Sequence, residues 1–205
     1  MSKHLVSGLV RAAFLAPAFA LACAAAVAQP VRGTIERVDG NLLSFRSTEG
    51  AELTLTLADT AVVVALMKAS MADIKEGTYL GSAAMPQADG SQKALEIHIF
   101  PDQMRGTGDG HRPYAPVPSG TMTNGATTGP IVTGIDGATI VVKYKDGEKK
   151  IDVPANVPVV TLVPGSDKAD IKPGVIVFVP TQKQDDGTLH AGAVLFGKDG
   201  LTPPM

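Results

Sequence analysis

Short apolar stretches with a two-residue period dominate the chain. In AELTLTL, Leu53, Leu55 and Leu57 alternate with Glu52, Thr54 and Thr56, the pattern of a half-buried strand. GTIERV, LLSFRS, AVVVALM, TYLGSAAM and ALEIHIF read as further strands, broken by Asp-Gly and Glu-Gly turns. SMADIKEG between them reads as a single helical turn, closed by Gly77. Beyond residue 130 the order recurs as TGI, TIVVKYK, KKIDV, VPVVTLV, KADIKPG, VIVFVP and HAGAVLF. In ALEIHIF the alternation puts Leu95, Ile97 and Ile99 toward a core and His98 on the outer face.

The recurrence has a fixed spacing. VDG at 38–40 returns as IDG at 135–137, ADIKEG at 72–77 as ADIKPG at 169–174, and DGSQKA at 89–94 as DGTLHA at 186–191, each 97 residues later. A constant offset over some fifty residues marks two copies of one unit, about 31–100 and 131–196. Five short strands with one helical turn between the third and fourth suggest a small closed barrel. The expected fold is therefore mainly β: two tandem OB-like five-stranded barrels, 29–100 and 131–205, joined by a Gly/Pro-rich segment, 101–130. Ile74 and Ile171 are expected to plug the barrel ends.

The first 28 residues stand apart. Lys3 and Arg11 precede the small-residue run AAFLAPAFALACAAAVA, which ends in an Ala-Val-Ala cleavage pattern before Gln29. This reads as a secretory signal peptide, cut near Ala28, and places the mature chain in the periplasm or outside the cell. The alternative is lipid attachment at Cys23, although Ala20 stands where a lipobox favours leucine. Cys23 is the one cysteine, so the mature chain has neither a disulfide framework nor a thiol nucleophile. Loss of Lys3 and Arg11 lowers the basic residues from 18 to 16 against 20 acidic ones, a net charge of −4. That balance, with no tryptophan for stacking bases, argues against nucleic acid as a partner. No apolar run after the signal is long enough to span a membrane as a helix.

The pattern GTIERVDG…ADIKxG…DG, together with LEIHIFPDQMRGTGDGHRPY and TMTN, resembles a bacterial family of exported proteins with OB-like β repeats and no assigned function. The resemblance covers both copies. Some proteins of this kind carry the label of a metal transporter permease, which a chain without apolar spans does not fit. The family offers no catalytic residues to carry over.

Residues 101–130 have no counterpart in the second copy, so specific chemistry is sought there. RGTGDGH has spaced glycines, but Pro113, Pro116 and Pro118 follow where a phosphate-binding helix would have to start. Asp109 and His111 lie two residues apart on glycine-rich chain with no positioned nucleophile, so catalysis is not expected. Arg105, Asp109, His111, Arg112 and Tyr114 are the candidate ligand or partner residues, or else the groups that fix an ordered strap between the barrels. The expected role is a non-enzymatic binding or interaction protein without a resident cofactor, recognising a small ligand or another exported protein. The alternative is metal handling, with His98, Met104, His111 and Met122 as ligands and copper as the metal that imidazole and thioether together select.

Overall fold

A computed structural model describes residues 29–204. Its strands are β1 (Gln29–Asp39), β2 (Leu42–Ser47), β3 (Glu52–Ala69), β4 (Tyr79–Pro86), β5 (Gln92–Ile99), β6 (Gly110–Pro113), β7 (Thr121–Gly134), β8 (Gly137–Tyr144), β9 (Gly147–Pro154), β10 (Val159–Val163), β11 (Ile176–Lys183) and β12 (Leu189–Gly197). The fold is mainly β, and the 97-residue offset holds in space. The 3₁₀ turn Met71–Asp73 has its counterpart at Lys168–Asp170, and β4 its counterpart in β11. The long β3 corresponds to β9 and β10 together. Pro154 and Pro158 stand where the first copy has Leu57 and Ala61, and proline cannot donate to a continuous ladder.

Five strands close into a barrel in the order β1-β2-β3-β12-β11, with β11 returning to β1. The closing pair β3–β12 is parallel, from Leu55↔Leu189 to Leu66↔Gly197. Ile35, Leu43, Phe45, Leu55, Leu57, Val177, Val179, Val194 and Phe196 fill it. The remaining long strands form a second circuit, β7-β8-β9-β5-β4. There β5 meets β9 only at Gln92↔Ile151 and Lys93↔Asp152, around a core of Leu80, Ile97, Ile140, Val142, Ile151 and Val153.

The tandem arrangement expected from the repeat does not describe this pairing. Each circuit takes its first three strands from one copy and its last two from the other. The turn residues follow the exchange: Ile74 of the first copy is buried in the second circuit's core, and Ile171 of the second copy in the barrel. Gly77 (φ 82°) and Gly174 (φ 89°) close those turns in the left-handed region, and their amides bond across the copies to Thr127 O and Ile35 O. β10 joins the circuits, antiparallel to β3 and parallel to β5. Val64, Leu66, Val160 and Leu162 form an apolar layer there, with Phe100, Met104, Leu195 and Leu201 against it.

The segment after β5 is shorter than expected. Residues from Thr121 onward already belong to β7, and β6 pairs along it from Gly110↔Asn124 to Pro113↔Thr121.

Candidate functional site

β5 sets the geometry of the outer face of the second circuit. In the β4–β5 ladder Ala83 faces Glu96 and Ala84 faces Ala94, so Leu95 is an extra, bulged residue. The bulge turns Leu95 out to solvent, 40 % exposed, while Ala94 and Ile97 point into the core. This corrects the expectation of Leu95 as a core residue. It also corrects that of His98 as a surface residue: His98 and Glu96 share the outer face, yet each is only 4 % exposed.

Residues 101–120 form a strap across that face. Arg105 donates to Gly77 O (2.9 Å) and lies over the Tyr79 ring. The Tyr79 hydroxyl reaches Thr107 O and Asp109 Oδ2, and Asn124 Nδ2 donates to Thr107 O (3.0 Å). Asp109 Oδ1 also accepts from the Lys145 amide (2.8 Å). Arg112 donates to Gly108 O, which tightens the glycine-rich turn. His111 Nδ1 contacts Thr123 Oγ1 (2.8 Å), and its ring stacks on Tyr144. A Cβ at Gly81 would sit 2.7 Å from Asn124 Oδ1, so a side chain there would displace the Asn124 amide. Four of the five strap residues expected to meet a ligand are thus engaged in fixing the strap, and the fifth, Tyr114, reaches inward.

Beneath the strap lies a buried polar group. Glu96 Oε1 is 3.5 Å from His98 Nε2 and accepts from the Tyr114 hydroxyl at 3.5 Å. Burial pushes the Glu96 carboxyl up to about 7, against the opposing pull of Arg32 on β1 and the Tyr114 hydroxyl. Burial brings the His98 imidazole down to about 4. Both groups are therefore held toward their neutral forms. Burial, and then Glu96, raise Tyr114 above the ordinary phenol range.

The donors considered for copper fall on both faces of the sheet. His98 and Met122 lie on the outer face, whereas His111 lies with Thr123 and Ser82 on the opposite face of the same strands. Met104 packs at the edge of the inter-circuit apolar layer. Among the described residues, no group of three or more His, Cys, Asp or Glu is placed to hold a metal.

The open surface lies elsewhere. A cleft of about 410 Å³ opens beside the β7–β8 and β4–β5 hairpins, with Gln87, Lys93, Val132, Ile135, Asp136 and Asp152 on its walls. Ile135 is fully exposed and Val132 is 62 % exposed. Asp152 is held by Thr139 Oγ1 (2.8 Å) and Lys150. A second cleft of about 450 Å³ lies by the β11–β12 hairpin, with Ala58, Gln182, Gln184 and His190. Gln184 and His190 stand 97 residues after Gln87 and Lys93, so the two clefts share these two repeat positions, while the rest of their walls differ. These residues were not among the sequence candidates. The signal was present in DGSQKA and DGTLHA, where polar Lys93 and His190 occupy one repeat position.

No family model, no curated protein and no solved structure matches the chain.

Proposed function

We propose that this is an exported, non-enzymatic binding or interaction protein that recognises its ligand at the hairpin ends of its two strand circuits. One observation carries the reading: each circuit presents a cleft beside the hairpin of its last two strands, with Gln87 and Lys93 in one and their repeat counterparts Gln184 and His190 in the other. The pairing order first-second-third-fifth-fourth within each circuit is that of an OB barrel and supports OB-like modules. In such barrels the loops after the first and fourth strands border the ligand surface, which is where the second circuit's cleft lies. That step is an analogy of fold, and the site itself supplies the chemistry: a cation at Lys93, an amide at Gln87, carboxylates at Asp136 and Asp152, and an apolar tip at Val132 and Ile135. This mixture suits a ligand with both polar and apolar groups, such as a peptide. Export is the sequence expectation from residues 1–28, which lie outside the described residues.

The test is a thermal-shift screen of the purified mature protein against short peptides and oligosaccharides. A ligand that raises Tm in the native protein is expected to lose at least ten-fold in affinity in Lys93→Glu and Ile135→Asp. Hits whose affinity is untouched by either substitution would move the site away from this cleft.

A further inference from the structure

The structure carries an interaction surface beyond the proposed ligand clefts. All the pairings that close the circuits, β3–β12, β1–β11, β4–β7 and β5–β9, join one copy to the other. The β3–β10 seam is symmetric under the repeat. Leu66 pairs with Leu162; adding 97 to the first and subtracting it from the second gives 163 and 65, and Val163↔Ala65 is also a pair. An antiparallel pair that maps onto itself is the signature of a two-fold interface, in which each partner offers the same patch. The covalent link between the halves is the strap, and its hydrogen bonds run to the second circuit, at Gly77, Tyr79, Asn124 and Lys145.

We infer that the chain is a strand-exchanged dimer of two half-chains fused by the strap, and that its halves accept the complementary half of a second copy of this chain. Exchange of whole halves recreates every contact of the closed molecule, so the strap alone selects the internal partner by raising its effective concentration. The strap must also be long. Ile99 pairs with Leu80 and Thr121 with Ala84. Four residues of strand at ~3.3 Å each and two strand spacings of ~4.8 Å separate Ile99 from Thr121 by roughly 16 Å. A chain lacking residues 101–119 offers three Cα steps of ~3.8 Å, at most about 11 Å.

Two experiments on the full chain test this. In the first, a protease site is inserted after Val117, in the turn where Val117 N bonds Tyr114 O and Gly120 N bonds Val117 O. The cut protein is expected to elute at the size of the uncut one, with an unfolding midpoint that rises with concentration. When isotope-labelled and unlabelled cut samples are unfolded, mixed and refolded, about half of the molecules should contain one heavy and one light piece by native mass spectrometry, the statistical outcome for equivalent partners. In the second, the chain lacking residues 101–119 should run at twice the monomer mass with an unchanged β circular-dichroism spectrum. Cut pieces that separate or fold singly, or a shortened chain that is folded and monomeric, overturn the inference. A shortened chain that fails to fold leaves the cut chain to decide.

Discussion

Glu96 and His98 show how two expensive groups are tolerated in one place. Moving a lone charge into this position would cost several kcal/mol, and both residues avoid it by standing neutral side by side. Their effects on stability have opposite signs. Glu96 has a folded value near 7, above its ordinary 4.5, so its contribution is present at low pH and is lost as pH rises from 4.5 through 7. His98 has a folded value near 4, below its ordinary 6.5, so its contribution is present at high pH and is lost as pH falls from 6.5 through 4. Between 4.5 and 6.5 the two slopes cancel, because unfolding moves one proton from the carboxyl to the imidazole. In the native protein the Glu96 and His98 contributions to stability in urea should therefore nearly cancel across that window, leaving the slope of His111, whose imidazole burial also holds down. In Glu96→Gln stability should fall by about 3 kcal/mol on acidification from 6.5 to 4, and in His98→Gln by a similar amount on raising pH from 4.5 to 7. Parallel pH profiles for the two variants would mean that the groups are not held neutral.

At the scale of the element, the β5 bulge decides which side chains matter. Strict alternation assigns Leu95 and Ile97 to one face, and the bulge separates them. Leu95→Ser should change stability by less than about 0.5 kcal/mol, whereas Ile97→Ala should cost about 2–5 kcal/mol in chemical denaturation. Equal losses would restore the unbulged register. Most strands, the two ADIK turns and their glycines were readable from the sequence, because period, cap and turn chemistry are local properties; β6 and the start of β7, within 101–130, were not. The bulge was not readable, since an extra residue leaves the apolar composition unchanged. Nor was the burial of His98, which stands beside Val160 of β10, a strand 62 residues further along the chain. The clefts were half-readable: the repeat aligned Lys93 with His190, but only the exchanged pairing sets the β4–β5 hairpin of the first copy beside the β7–β8 hairpin of the second.

For the whole molecule, the constant offset revealed two copies but not who pairs with whom. Two similar units offer each other the same edges, and the choice rests on connection and strap, which periodicity does not record. The exchange has a consequence for cooperativity. Two tandem barrels would melt independently, whereas circuits that share both copies should melt together. Phe45→Ala in the barrel and Ile140→Ala in the second circuit should each lower one common calorimetric transition, at a cost of about 2–5 kcal/mol. A second, separate transition in either variant would contradict shared folding.

The parallel closure of β3 by β12 also fixes an order in time. A chain that emerges N-terminus first presents β1, β2 and β3 early, yet the barrel they begin lacks its last wall until residue 197 has appeared. The second circuit is complete at residue 154 and can form while the first strands still wait. During that interval the open edges of β1 and β3 are templates for misassociation, so the last strand made protects the first.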